Sequence, residues 1–237
     1  MAPRRRAARK QTDQLAVEWL VVLVKGVAFL RDARLLVAPS AEHIMAMPAE
    51  ARRPWTPEAV RELMERQQGH WPRYELIDGE LLVTPAPRLQ HERVVFALIE
   101  MLMPYVRREK LGRVLGSPSD LRLREKTITQ PDVYVVPREH DATARSWGDI
   151  RKLILATEVL SPSTARYDRM AKRKHYQEAG VDEYWIVDID SRIVERWLPN
   201  EMRPEVISGQ LVWQPKGARS SLTIELVELW NNAQLEE

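Results

Sequence analysis

The spacing of apolar residues predicts alternating helices and strands along most of the chain. Apolar side chains recur every three or four residues over 90–108, which indicates an amphipathic helix, and a second helix is predicted over 164–179. Gly180 is typical of a helix C-terminus, and Pro104 is expected to kink or shorten the last turn of the first helix. Short apolar runs typical of β-strands lie at 113–115, 120–123, 132–136, 153–160, 183–188 and 193–198. This order predicts an α/β core with a mixed central sheet flanked by helices.

A helix and a β-hairpin are predicted before this core. Thr56-Pro57-Glu58 is a typical helix start, with threonine as the N-cap and proline in the first turn, and the helix is expected over 57–68. Two strand-like runs between Tyr74 and Pro85 flank Asp78-Gly79, a pair that favours a tight type I′ turn. After residue 198 the pattern predicts further short β-segments and a final turn of helix.

The first 54 residues differ from the rest and are interpreted as a basic, amphipathic extension followed by a proline-containing linker. The globular domain is therefore predicted over 55–237. The apolar run 15–30 contains Glu18 and Lys25 and is shorter than the roughly 20 apolar residues of a membrane span, so no membrane association is expected. The alternative interpretation is that translation begins at Met45 or Met47.

Composition limits the possible functions. The chain has 237 residues, 44% of them apolar, and it has no cysteine, which excludes disulfides and thiolate metal sites and fits a cytoplasmic protein. Its net charge is +2, but residues 1–10 alone carry five basic side chains, so the remainder is slightly acidic. A uniformly basic nucleic-acid coat is therefore excluded, and any nucleic-acid contact must use local patches. No glycine-rich nucleotide motif and no HExxH motif occurs.

Three charged residues form a candidate catalytic group. Asp132 follows Pro131 at the start of one predicted strand, Glu158 lies inside another, and Lys172 lies on the helix that follows. Two carboxylates on adjacent strands are suited to a hard divalent cation, and a nearby ammonium can place or deprotonate an attacking water. This combination is what metal-assisted phosphodiester hydrolysis requires.

Each of these residues also has a structural interpretation. Asp132 alone would be a solvated residue at a strand start, and Glu158 would form a buried salt bridge with Arg166 or Arg169. Lys172 would form an ion pair with Asp168 one turn earlier. If Lys172 is catalytic instead, its ammonium must lie within hydrogen-bonding distance of Glu158 or share a water with it.

Taken together, several motifs resemble the PD-(D/E)XK nuclease superfamily and, within it, the Uma-type family of endonucleases. The matching segments are YELIDGELL at 74–82, His91, Pro131-Asp132, EVLSPSTARYDRMAK at 158–172 and GVDEYWIVD at 180–188. The resemblance extends from about Trp55 to Trp230. One departure is Leu160, which stands where the superfamily pattern has its lysine. In the Uma-type family that lysine is displaced onto the following helix, which here corresponds to Lys172.

The resemblance implies a restriction-endonuclease-like fold and a Mg²⁺- or Mn²⁺-dependent endonuclease that hydrolyses phosphodiester bonds, with DNA as the expected substrate and a homodimer as the expected assembly. Asp132 and Glu158 are the implied metal ligands, and Lys172 is the implied catalytic lysine. Glu75 could add a carboxylate or form a cross-strand polar pair. His91 could contact phosphate or an active-site water, or simply occupy a helix terminus. The alternative function is a non-cleaving nucleic-acid-binding or regulatory protein that retains the fold.

Overall fold

Local turn and cap chemistry forms the predicted helix and hairpin of the first unit. The computed structural model describes residues 28–31, 34–35, 54–67, 69, 71–162 and 164–235, and the chain divides into two compact units, 1–86 and 87–237. Helix α1 (Pro57–Arg66) begins after Thr56, whose side chain accepts a hydrogen bond from the Ala59 N–H at 3.2 Å. The predicted amphipathic run 15–30 and the linker lie outside the described residues, apart from 28–30 and 54.

The hairpin prediction is confirmed. Strands β3 (Arg73–Ile77) and β4 (Glu80–Thr84) pair antiparallel around Asp78 and Gly79, which both have positive φ, at 49° and 87°. Positive φ at both central residues is what a type I′ turn requires. Two further strands, β1 (Ala28–Arg31) and β2 (Arg34–Leu35), complete a sheet of order β2-β1-β4-β3.

The second unit contains the predicted α/β core. Its helices are α2 (Leu89–Arg108), α3 (Arg138–Thr143), α4 (Ala165–Tyr167), α5 (Arg173–Glu178) and α6 (Leu226–Asn232), with a 3₁₀ turn at Trp147–Asp149 and a π-helical turn at Asp168–Lys172. Its strands are β5 (Gly112–Gly116), β6 (Val133–Pro137), β7 (Leu155–Val159), β8 (Glu183–Asp188), β9 (Ile193–Trp197), β10 (Glu205–Ile207), β11 (Gln210–Trp213) and β12 (Leu222–Glu225).

A six-stranded mixed sheet of order β10-β9-β8-β7-β6-β5 forms the centre of this unit. Strands β7 and β8 are parallel, and the other neighbours are antiparallel. Alternate residues of the strands enter two apolar clusters, one shared with α2 and α6 and one that includes Tyr176 of α5. The strands are buried on both faces, so polar side chains at their ends are held close to the core.

Two local predictions differ from the structure. The strand expected at 120–123 is wrong, because this segment makes only an isolated bridge between Leu121 and Thr129. The helix expected over 164–179 is interrupted by the π-helical turn, which apolar spacing alone does not reveal. The predicted end of α2 at residue 108 is confirmed, with Pro104 inside the helix. No helix in the described part of the chain is both long and apolar enough to cross a bilayer.

Candidate active site

Asp132 and Glu158 face each other at one edge of the central sheet. Strands β6 and β7 pair antiparallel with Val133 opposite Thr157, and continuing this register by one residue places Asp132 opposite Glu158. Directly opposed residues of an antiparallel pair project from the same face. Both are buried, with exposures of 6% for Asp132 and 3% for Glu158. Two carboxylates are therefore held side by side in a largely desolvated position.

The carboxylate of Asp132 is fixed from two directions. Its Oδ2 accepts a hydrogen bond from the Val159 N–H at 3.0 Å, and the same oxygen lies 3.1 Å from Nε2 of His91. His91 is buried in the first turn of α2. The helix-terminus interpretation of His91 is confirmed, and the structure also places its ring against Asp132. The signal was available, because His91 shares the buried stripe of α2 with Val94, Val95 and Leu98. A contact of His91 with phosphate or water stays a prediction.

Lys172 lies beside Glu158, as the catalytic interpretation required. Its Nζ donates to Oε1 of Glu158 at 2.9 Å, and it lies 3.7 Å from Oδ1 of Asp168. The predicted pairing of Glu158 with Arg166 or Arg169 is wrong, because Arg169 donates to Asp188 and Glu195 at 2.9 and 2.6 Å. The alternative ion pair between Lys172 and Asp168 is present as well, at the longer distance.

Aromatic residues hold the lysine-bearing helix in place. The Tyr176 hydroxyl donates to Oε1 of Glu158 at 3.0 Å, so this oxygen accepts from both Tyr176 and Lys172. The Tyr184 hydroxyl donates to the Asp168 carbonyl at 3.1 Å, and its ring centroid lies 4.9 Å from that of Tyr176. Sequence reasoning did not assign a role to either tyrosine, although Tyr176 lies one helical turn after Lys172.

His175 is a second residue that sequence reasoning left without a role. It exposes 1% of its surface, and its ring centroid lies 5.2 Å from that of Tyr176. Burial lowers the pKa of His175 to about 3, and the positive charges of Arg124 and Lys172 act in the same direction. His175 is therefore neutral at neutral pH, and no positive charge from it competes with Lys172.

The structure brings three of the four predicted site residues together in the second unit, and it adds His91 and Tyr176 to them. The fourth, Glu75, lies on β3 of the first unit with an exposure of 3%. The residue directly opposite Glu75 in the hairpin is Leu82. The role of Glu75 as an additional carboxylate stays a prediction.

The donor set at this sheet edge fits a hard divalent cation. Mg²⁺ is commonly held by one or two carboxylates, and its remaining positions are filled by water and substrate oxygens. Asp132 and Glu158 supply two carboxylates, and each carboxylate has two oxygens that can accept several contacts. Within the described residues, no group of three or more histidine, aspartate or glutamate side chains is arranged to hold a metal.

The mixed sheet, the preceding hairpin and the paired carboxylates with a lysine define a protein of the restriction-endonuclease-like class. The model of the Uma2 family, described as "Putative restriction endonuclease", matches residues 60–233, and the chain belongs to this family. The resemblance seen in the sequence is thereby confirmed.

Individual proteins are also similar to this chain. A crystal structure described as a putative nuclease belonging to DUF820 from Anabaena variabilis superposes with a TM-score of 0.59 at 20% identity, covering 73% of this chain and 98% of that chain. This similarity supports the fold. The uncharacterized protein sll1609 of Synechocystis sp. is 27% identical over 129 residues, which covers 54% of this chain and 72% of that protein.

Proposed function

We propose that the chain is a Mg²⁺- or Mn²⁺-dependent endonuclease that hydrolyses phosphodiester bonds in DNA. The observation that carries this proposal is the facing pair Asp132 and Glu158, with the Lys172 ammonium 2.9 Å from the Glu158 carboxylate. Membership of a family described as restriction endonucleases supports the reaction class. DNA as substrate and the dependence on a metal rest on the resemblance and on the chemistry of these three residues.

Each residue of the candidate site would have a separate role. Asp132 and Glu158 would hold the metal, and His91 and the Val159 N–H would keep the Asp132 carboxylate in position. When bound, a divalent ion polarises a phosphate and lowers the pKa of a coordinated water. Lys172, held at Glu158, would orient the attacking water or stabilise the negative charge that develops on the phosphate oxygens. Burial of these groups excludes bulk water and strengthens each electrostatic interaction.

Three further parts of the proposal rest on the resemblance and on composition. We propose Glu75 as an additional carboxylate of the site, a homodimer as the active assembly because two copies can cut two strands, and the cytoplasm as the compartment. Sedimentation of the purified chain at micromolar concentration tests the dimer, and a purely monomeric species would contradict it.

Calorimetric titration with Mn²⁺ tests the metal site. We expect a saturable site that Asp132→Ala and Glu158→Ala each weaken strongly, because each substitution removes one of two anionic ligands. Glu100→Ala is the matched control, since Glu100 is exposed on α2 and outside this group. Equal affinity in all four proteins would contradict the metal assignment.

Cleavage of a mixed panel of single-stranded DNA, double-stranded DNA and RNA tests the reaction and separates it from the alternative function. We expect cleavage that requires Mg²⁺ or Mn²⁺, favours DNA and is abolished by Glu158→Ala. Tight binding of the panel without cleavage under any metal condition would support a non-cleaving nucleic-acid-binding protein instead.

A further inference from the structure

A polar cleft opens near the start of α2. It encloses about 380 Å³ between the first turn of α2, the turn that joins β8 to β9, and the segment that follows α6. All of these elements belong to the second unit. The polar side chains that line the cleft are Gln90, Arg93, Asp190, Arg192 and Gln234.

Sheet topology places this cleft at the same edge as the paired carboxylates. Strand β8 is parallel to β7, with Val187 opposite Val159, so both strands end at the edge of the sheet where Asp132 precedes β6. Neighbouring strands are about 4.8 Å apart, so the β8–β9 turn begins roughly 10 Å from β6. Helix α2 also links the cleft to the carboxylates, because Gln90 lines the cleft and the next residue, His91, contacts Asp132.

The chemistry of the lining suits a phosphodiester group. Arg93 and Arg192 supply two guanidinium groups, which bind phosphate oxygens through paired N–H donors, and the two glutamine amides supply further donors. Asp190 offsets one of the two positive charges, so the lining remains net positive. A cleft that combines guanidinium groups with neutral amide donors favours an anion that accepts several hydrogen bonds.

We propose that this cleft binds a phosphate of the substrate strand on one side of the bond to be cleaved. The proposal rests on the proposed nuclease function and extends it to substrate positioning. A separation of roughly 10 Å places the cleft within a few nucleotides of the bond to be cleaved, because each nucleotide advances a duplex strand by about 3.4 Å along the helix axis and also rotates it around that axis. Arg93 and Arg192 are positioning residues in this scheme, because they hold the strand while Asp132, Glu158 and Lys172 carry the chemistry.

The salt dependence of DNA binding tests the proposal, measured by fluorescence anisotropy with a labelled duplex in EDTA so that no cleavage occurs. Each phosphate contact contributes a slope of about 0.9 to the plot of log affinity against log salt for duplex DNA. We expect Arg93→Gln/Arg192→Asn to lower that slope by about 1–2 and to weaken binding at low salt. Asparagine is chosen at 192 because this residue has a φ of 53°, which asparagine tolerates.

Two matched variants complete the experiment. Lys126→Gln/Lys152→Gln removes the same number of charges from exposed positions outside the cleft and should leave the slope unchanged. Arg93→Lys/Arg192→Lys keeps the charge but removes the paired donors, so it should retain the slope with weaker binding. Thermal unfolding of each variant checks that the fold is intact.

The outcomes separate the possible failures. An unchanged slope in Arg93→Gln/Arg192→Asn, with normal DNA binding by the unsubstituted chain, would overturn the cleft proposal and leave the nuclease proposal standing. Saturable binding of inorganic phosphate alone that depends on both arginines, with no effect on DNA binding, would assign the cleft to a free phosphate and also overturn it. Failure of the unsubstituted chain to bind or cleave any nucleic acid would overturn both.

Discussion

At the scale of single residues, the site depends on a charged pair that is almost completely buried. Glu158 and Lys172 each expose 3% of their surface, and Nζ of Lys172 lies 2.9 Å from Oε1 of Glu158. Burying two charges is costly, and their mutual attraction offsets that cost only while both are present. A buried pair of this kind is weak evidence for stability, because well-packed apolar residues of similar volume are often at least as stable.

Replacement of Lys172 by methionine tests this interpretation. Lys172→Met keeps most of the packing volume and leaves the Glu158 carboxylate buried without its cation, which typically costs about 3–5 kcal/mol of unfolding free energy. We expect that loss in EDTA, a smaller loss with Mn²⁺, and a fall of about 10²-fold or more in cleavage rate. Denaturant unfolding and single-turnover cleavage measure the two effects.

Lys174→Met is the control for this variant. Lys174 is 65% exposed and lies 3.7 Å from Glu178, a surface pair that contributes at most about 1 kcal/mol. If the two lysine variants lose the same stability and the same activity, the assignment of Lys172 to the site is incorrect.

His175 allows a prediction about pH. Because the pKa of His175 is about 3 in the folded chain and 6.5 ordinarily, the unfolded chain binds a proton below pH 6.5 that the folded chain does not. Stability is therefore lost as the pH falls from 6.5 towards 3, by about 2 kcal/mol between pH 7 and pH 5 for this group. In His175→Phe we expect that part of the loss to disappear. Denaturant unfolding of both proteins at the two pH values measures the difference, and parallel losses would contradict the prediction.

At the scale of elements, the sequence predicts what local chemistry determines. The hairpin at Asp78-Gly79 and the cap at Thr56 depend on neighbouring residues, and both are confirmed. Which basic residue pairs with Glu158 depends on the face that the following helix turns towards the sheet. The sequence alone could not decide between Arg169 and Lys172 as this partner. The π-helical turn inserts one residue into the turn and so changes which side chains face the sheet, and no spacing rule shows such an insertion.

The π-helical turn Asp168–Lys172 can be tested by removing one residue. Deleting Met170, which is 61% exposed, should convert the turn towards α-helix and rotate the residues before it by about 100° relative to those after it. The Tyr184 contact to Asp168 and the Lys172 contact to Glu158 then cannot both persist. We expect cleavage to fall at least as far as in Lys172→Met.

Met170→Ala controls for the loss of the side chain alone. Because Met170 lies on the surface, this substitution should change the unfolding free energy by no more than about 0.5 kcal/mol and leave cleavage unchanged. A deletion variant with full activity would show that the π-helical turn has no part in placing Lys172.

At the scale of the whole molecule, the candidate site and both apolar clusters belong to the second unit. The clusters contain residues between Val94 and Leu235, and Asp132, Glu158, Lys172 and His91 lie within 87–237 as well. The order of helices and strands was enough to predict this α/β core. The sequence could not predict that Asp132 lies opposite Glu158, because this depends on the register between β6 and β7. That register is set by how two distant segments pair and cannot be read from either segment alone.

The chain shortened to residues 87–237 tests this division. It retains both apolar clusters, so we expect a cooperative thermal transition and a saturable Mn²⁺ site that Asp132→Ala weakens. A shortened chain that unfolds without a cooperative transition would show that the first unit is required for the fold.

Mn²⁺ affinity also tests the prediction for Glu75, which the shortened chain lacks. A weaker affinity that Glu75→Gln reproduces in the full-length chain would support Glu75 as a ligand, and equal affinity in all three proteins would remove it from the site.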